Sequence, residues 1–265
     1  MTALRLILAL LLLPLPLTAT TWKAGIAKAD ITPKKPIWMA GYGGRSKESE
    51  GVLHPLWAKA LALEDANGKR AVIIATDTLG MTRGIYTSLK ARLKKAHNLD
   101  ADQIMLNASH THTGPVLRGG LYDIYPLNAE RIKRIEEYSG RLENEIVRIT
   151  GEALKNLETA TLKHGNGISR FGVNRRENRE SQIPQLRSKG ATLKGPFDHD
   201  VPVLAVYKGL QLKAIIFGYA CHSTVLSFYQ FSGDYSGFSQ IALEKSHPGA
   251  LALFSPGCGA DINPL

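Results

Sequence analysis

Cysteine is scarce. Two residues in 265, Cys221 and Cys258, exclude a disulfide-dense scaffold and any four-cysteine metal cluster. They leave room for one bridge or for two free thiols. Long apolar runs are also missing: past residue 20 nothing approaches the roughly 20 apolar residues that cross a bilayer. No repeat period and no sustained heptad occurs, which excludes solenoids and coiled coils. Acidic residues are the minority, 23 against 33 Lys and Arg, for a formal charge of +10. The basic residues are spread along the chain and not striped. Two readings of that charge stay open: a solvated basic surface, or attraction to anionic lipid headgroups or an acidic substrate.

The first 20 residues stand apart. Arg5 precedes an apolar run over 6–17, and Thr18, Ala19 and Thr20 form a small-residue cleavage region, the pattern of a secretory signal peptide. The expected product is exported, periplasmic or secreted, and nucleic acid is not an expected partner. With 44% hydrophobic and 21% charged residues, the remaining chain from 21 to 265 reads as one globular domain.

Strand and helix patterns alternate with hairpins. "WKAGIAKADITP" reads as a strand ending at proline, and residues 34–50 as a loop. "LWAKALALED" and "RAVIIATD" flank Asn67-Gly68, a hairpin signal. Residues 81–97 carry Ile85, Leu89, Leu93 and Ala96 at helical spacing. Residues 128–157 do the same through Ile132, Ile135, Tyr138, Leu142, Ile146 and Ile149. Residues 159–169 suggest a strand, 170–197 a long polar loop, and 201–222 a hairpin about Lys208-Gly209. A short helix over 236–246 and the strand "ALALFS" follow. The expected fold class is α/β (α+β), with mixed sheets flanked by helices in a single domain.

Several apolar runs deliver chemically unusual residues at their ends. "QIMLNASHTHTGP" leaves an apolar segment with two histidines, His110 and His112, around one threonine. Alternate residues of an extended chain point the same way, about 6–7 Å apart, which suits metal ligation, with Ser109 and Thr113 placed to orient the rings. An ordinary turn fits the same string. His222 closes another apolar run, as a ligand or as a core histidine. Asp77 follows "VIIAT", as a helix cap or a site residue. Asp234 reads as a loop or cap residue. Gly257 and Gly259 flank Cys258 in a turn able to form an anion or oxyanion concavity, or simply a tight turn. The 170–197 loop is either mobile surface or an entrance for a long acyl chain.

In order, "DITP", "GVLHPLWAKAL", "TDTLG", "SHTHTGP", "GVNRR", "DHDVPVL", "ACHSTVL", "SGDYSG" and "GCGADINP" resemble the amino-terminal domain of the neutral/alkaline (non-lysosomal) ceramidase family, across nearly everything after the signal. The resemblance implies a zinc-dependent hydrolase of ceramide-like N-acyl amides that releases sphingosine and a fatty acid. It casts His110 and His222 as Zn2+ ligands, His112 as a catalytic residue beside the metal, and Arg175, with Arg176 next to it, at the reaction centre. Asp261 keeps the family's aspartate, as a neighbour of the metal or, like Asp77, a substitute ligand. Such an enzyme uses metal-bound water as nucleophile, since zinc lowers the pKa of water to about 7. Two departures stand out. Asn263 occupies the family's serine position, and the sequence stops at Leu265, before the glutamate and tyrosine that complete the family's zinc site. The chain is therefore expected to be an incomplete catalytic domain. Other readings are a metal-dependent esterase or phosphoesterase, or a catalytically silent lipid- or glycan-binding homologue. The expected partners are a lipid or other N-acyl amide and, peripherally, an anionic membrane.

Overall fold

A computed structural model describes residues 22–265; the expected signal segment falls outside them. Along the chain the elements are β1 (Trp22–Asp30), β2 (Gly51–Val52), β3 (Trp57–Glu64), β4 (Arg70–Thr76), α1 (Arg83–His97), β5 (Ile104–Ala108) and α2 (Ala129–Lys155). Then come β6 (Glu158–Ile168), β7 (Gly172–Asn174), α3 (Ile183–Ser188), β8 (Asp200–Lys208), β9 (Gln211–Tyr219), β10 (Gln230–Phe231), α4 (Asp234–Ser246), β11 (Leu251–Pro256) and β12 (Ile262–Pro264). Eight strands make one mixed sheet in the order β11-β9-β8-β6-β1-β3-β4-β5. Its middle is antiparallel, and each flank ends in a parallel pair, β4 with β5 and β9 with β11. A parallel pair needs a crossover, and α1 and α4 provide the two. The fold is the single-domain α/β arrangement that the sequence pattern implies.

The alternation along β3 sets the layers. Ala58, Ala60 and Ala62 point to one side, where Ile135, Leu142, Ile146 and Ile149 of α2 and Ile85, Leu89 and Leu93 of α1 cover them. The small side chains let the long helix lie close to the sheet. Leu61 points the other way, into a second cluster with Val206, Ala214, Leu251 and Leu253 from the far half of the sheet. The sheet thus curls over its own apolar face, and β11 comes to lie against β4 and β5. Strands from opposite ends of the hydrogen-bonded order meet, with their carboxyl-terminal ends on the same side. Burial of these side chains drives the curl, at about 25 cal/mol per Å² of apolar surface removed from water.

Residues 170–197 depart from the expected loop. β7 pairs antiparallel with β12, a 3-10 turn spans Glu180–Gln182, and α3 buries Ile183. Asn178 is buried and bonds backbone atoms on both sides of the segment, accepting from Lys194 N–H and donating to the carbonyls of Asn174 and Lys194. Polar side chains that satisfy backbone groups leave no apolar period, and this is why the composition looked like a loop. The two- and three-residue strands β2, β10, β7 and β12 are too short to show a period. Both cysteines are free, Cys221 buried and Cys258 exposed. Among the described residues no helix is long and apolar enough to cross a membrane.

Candidate metal centre

β5 ends at Ala108, and the chain turns sharply at His110, which sits in the left-handed region with φ 58°. A non-glycine residue there is uncommon and strained. The kink replaces the extended His-x-His geometry expected from sequence and brings the rings of His110 and His112 to 5.1 Å between centroids. His222 follows the end of β9. It is joined to the first pair by backbone: Thr111 and Ser223 form a parallel bridge, and His112 N–H donates to the Ser223 carbonyl at 3.2 Å. Ser223 Oγ donates to the Ser109 carbonyl at 2.9 Å. The His110 and His222 rings stand 4.8 Å apart, and the ligand atoms of all three histidines lie within 4.8 Å of one another.

Backbone carbonyls orient two of the rings. His110 Nδ1 meets Leu79 O at 2.7 Å, and His222 Nδ1 meets Gly259 O at 2.8 Å. A carbonyl only accepts, so each Nδ1 carries the proton and each Nε2 is left with a free lone pair. Ser109 and Thr113 do not orient the rings. Thr113 Oγ1 bonds Ser232, and Ser109 Oγ is buried without a partner. Burial holds the His112 imidazole down to about 3, with the neighbouring His110, His222, Arg175 and Arg45 adding to the effect. Burial likewise holds His222 below its ordinary range. Both are neutral at physiological pH, the form that ligates a metal. His112 Nδ1 is buried and unpartnered, and His112 Nε2 stands 3.4 Å from His110 Nε2. Two ring nitrogens facing each other at that distance, with a third imidazole alongside, fit a divalent metal that takes nitrogen ligands, zinc among them.

The other sequence-nominated residues fall into two groups. Arg175 and Asp261 border the histidines. Arg175 Nη2 donates to Ala260 O at 2.7 Å, its backbone N–H donates to Asp261 O at 2.8 Å, and its charge bears on both His112 and His222. Its Nε is buried without a partner. Asp261 Oδ2 accepts from Asn174 Nδ2 at 2.9 Å, fastening β7 to the turn after β11. Asn263 lies on β12 with its side-chain oxygen buried and unpartnered. Arg176 is exposed, one residue from Arg175.

The second group does structural work. Asp77 is neither the α1 cap, a place taken by Thr82, nor a member of the histidine group. It is buried, and its carboxylate accepts from Trp57 N–H at 2.9 Å and Gln240 Nε2 at 3.3 Å, with burial pushing its pKa up. Gly257 and Gly259 spend their N–H groups inside the turn, on Tyr219 O and Gly257 O, so these donors are not aimed at an anion. What the turn contributes is the Gly259 carbonyl. Asp234 opens α4 at φ 57°, fully buried, and accepts from the N–H groups of Val225, Leu226 and Tyr235. It therefore fixes the segment that follows His222.

Three site neighbours lay within what reads as a loop. Gly41 has φ 101°, and a Cβ there would lie 2.4 Å from the His112 ring. The Tyr42 ring meets His112 edge-on at 4.8 Å. Arg45, buried, donates to His112 O at 2.9 Å and to Phe228 O at 3.0 Å. The cluster "AGYGGR" is the only signal for them, and glycine in a loop carries little information. A cavity of about 530 Å³ opens beside the centre, lined by His110, His222, Cys221, Cys258 and Asp261 among others.

A curled mixed sheet that gathers three histidines at its strand ends defines an α/β protein with a candidate metal centre. The chain belongs to the neutral/alkaline non-lysosomal ceramidase family, whose N-terminal model matches residues 22–254. It is 27% identical to the neutral ceramidase of Pseudomonas aeruginosa over 278 aligned positions, covering 99% of this chain and 40% of that protein. Over 116 positions it is 32% identical to the neutral ceramidase of Drosophila melanogaster, 41% of this chain and 16% of that one. A solved ceramidase complexed with C2 superposes with a TM-score of 0.76 at 25% identity, covering 93% of this chain and 39% of its own. The chain thus spans about two fifths of the length of the P. aeruginosa relative.

Proposed function

We propose that this chain supplies the histidine face of an exported zinc hydrolase that cleaves ceramide-like N-acyl amides to a long-chain amine and a fatty acid. The observation that carries the reading is the meeting of the His110, His112 and His222 ligand atoms within 4.8 Å, from segments far apart in the sequence. The names of the relatives supply the substrate class.

In this reading His110 and His222 hold the ion through Nε2, each ring fixed by a backbone carbonyl on Nδ1. A zinc ion held there supplies Lewis acidity, making an amide carbonyl a better electrophile and water a better nucleophile near neutral pH. His112, neutral and unpartnered at Nδ1, takes up a proton at a ring nitrogen and delivers it to the departing amine. Arg175 brings a positive charge to the same side and steadies the oxygen on which negative charge develops. Asn263, at the position of the family's serine, offers an amide and no nucleophile; with water as the attacking group none is needed. Secretion and contact with an anionic membrane are the setting that a lipid substrate and a basic exported chain imply.

The test is hydrolysis of a fluorescent ceramide and of a phosphodiester by the purified protein, before and after a chelator. Ceramide cleavage that the chelator abolishes and added zinc restores is expected. Cleavage of the phosphodiester alone, or ceramide cleavage indifferent to the chelator, would overturn the reading.

A further inference from the structure

Backbone carbonyls aim the rings of His110 and His222, but the His112 ring has no such partner. Its place is set through its main chain. The His112 N–H donates to Ser223 O at 3.2 Å, and its carbonyl accepts from Arg45 Nη2 at 2.9 Å. We propose that Arg45 is a positioning residue for the reaction: its guanidinium clamps the His112 backbone to the 224–229 segment and so aims the imidazole. The inference rests on the hydrolase reading above and adds the group that holds its proton carrier in place.

Three observations carry it. The first is the reach of the clamp. Arg45 Nη1 donates to Phe228 O at 3.0 Å, so one planar fork fixes a carbonyl on each of two segments that carry or follow a histidine of the centre. The neighbouring Tyr42 hydroxyl donates to Leu226 O at 3.0 Å, in the same segment. Ala40 N–H donates to Gly114 O at 2.9 Å, so the stretch that bears Arg45 is also pinned just past His112.

The second is that the fork is itself held. The guanidinium lies over the rings of Tyr42 and Tyr229, 5.3 and 5.1 Å from their centroids. Tyr229 is fixed at its far end, where its hydroxyl accepts from Ser46 N–H at 3.0 Å. The Tyr42 ring touches the His112 imidazole edge-on, so the group that supports Arg45 also borders the ring it aims.

The third is charge. Arg45 is 5% exposed, its Nε has no partner, and no carboxylate among the described residues pairs with it. Burying a cation in that way carries a desolvation cost that an apolar side chain of similar length, such as methionine, would avoid. Its presence against His112 O points to a use for the fork. A ring without an acceptor of its own follows any movement of its backbone, and a misplacement of about 1 Å costs on the order of 100-fold in rate.

The experiment compares Arg45→Met, Arg45→Lys, His112→Ala and the double variant Arg45→Met with His112→Ala. It follows turnover of a fluorescent ceramide, zinc content after dialysis, and the imidazole NMR signals of the metal-free protein carrying isotope-labelled histidine. The His112 signal is the one missing from His112→Ala. Arg45→Met is expected to lower kcat about 10–100-fold, the usual loss when a supporting contact goes, with KM within about threefold and zinc retained. Arg45→Lys, which keeps the charge and one donor, recovers part of that loss. In the His112→Ala background Arg45→Met costs nothing further, because both changes act on one group. The His112 signal moves or broadens in Arg45→Met while those of His110 and His222 stay. Cooperative thermal unfolding establishes that each variant is folded, and Arg45→Lys takes the place of Arg45→Met if that one is not. An equal loss of rate in both backgrounds, or an unmoved His112 signal, would overturn the clamp. If the unaltered protein cleaves no ceramide, the hydrolase reading falls alone, and the ring signal decides the clamp.

Discussion

The ring of His222 is aimed by a single backbone atom: its Nδ1–H donates to the carbonyl oxygen of Gly259 at 2.8 Å. That carbonyl belongs to the turn after β11, so the orientation of a residue following β9 depends on the strand lying parallel to it. The closeness is possible because position 259 lacks a side chain. A Cβ there would lie 2.4 Å from Cys221 N and 2.6 Å from Ala220 C.

Gly259→Ala is therefore expected to push the turn outward and carry the carbonyl with it. Loss of an orienting partner typically costs 10–100-fold in metal affinity, and zinc binding should weaken by about that factor while unfolding stays cooperative. Calorimetric titration of zinc into the metal-free protein measures it. Unchanged affinity would mean that His222 does not need Gly259 to face the ion.

The strands and helices with a clear period were legible in the sequence: β3 and β4 around Asn67-Gly68, α1 through Ile85, Leu89 and Leu93, and α2. The pairing of His110 with His222 was legible only through the family resemblance, because their meeting depends on the curl of the sheet, which no local pattern encodes. The His110 kink was hidden for a similar reason. Nothing in "ASHTHTG" announces that a histidine adopts φ 58°. Gly41, Tyr42 and Arg45 act through a backbone conformation, a ring edge and two carbonyl contacts, none of which leaves a periodic trace. Asp77 and Gly257 carry suggestive chemistry but serve the scaffold, and Gly259 acts through its carbonyl on His222 and not through an N–H aimed at an anion. A carboxylate that accepts from Trp57 N–H looks the same in sequence as one that faces a metal.

Glu143 gathers three elements. From α2 its buried carboxylate accepts from Ser88 Oγ of α1 at 2.6 Å, from Arg92 at 3.3 Å and from Arg118. Glu143→Ala removes an acceptor of charge-assisted bonds, while the two guanidinium groups, partly exposed, can turn to water. The expected cost is about 2 kcal/mol, a fall of about 4–8 °C in the unfolding midpoint for a domain of this size. Calorimetry or thermal denaturation checks it. A shift below 1 °C would show that the cluster contributes nothing net.

Lys59, buried on β3, donates to Glu244 Oε1 at 2.7 Å, Gln240 Oε1 at 2.9 Å and Ala252 O at 2.8 Å, tying β3 to α4 and β11. Burial draws the lysine below its usual range. Burial also acts to raise Glu244, but the ammonium outweighs it and holds the carboxyl below the usual carboxylate range. Because the folded pKa of Glu244 lies below the unfolded one, its contribution to stability is present above the unfolded value of about 4.3 and is lost as pH falls through the folded value. Glu244→Gln should therefore cost about 2 kcal/mol at neutral pH, with the gap from the unaltered protein narrowing below about pH 4. Urea midpoints at neutral and acid pH measure it. A gap that stays constant or widens on acidification would contradict the ion pair's direction.

His112 separates the two roles open to a third histidine. Its Nε2 is close enough to His110 Nε2, at 3.4 Å, for both to reach one ion, yet its Nδ1 lacks the backbone acceptor that His110 and His222 each have. A ligand ring is usually fixed by such a partner, and a ring that must take up and release a proton gains from having a nitrogen unengaged. The expectation follows that His110→Ala and His222→Ala abolish tight zinc binding. His112→Ala should keep zinc within about tenfold, the low end of what an orienting contact is worth, and lose on the order of 10²–10⁴ in hydrolysis rate, the usual value of a positioned proton carrier. Metal analysis after dialysis, run beside turnover of a fluorescent ceramide, distinguishes them. If zinc leaves His112→Ala as readily as it leaves the other two variants, then His112 is a third ligand, and the proton must be carried by another group.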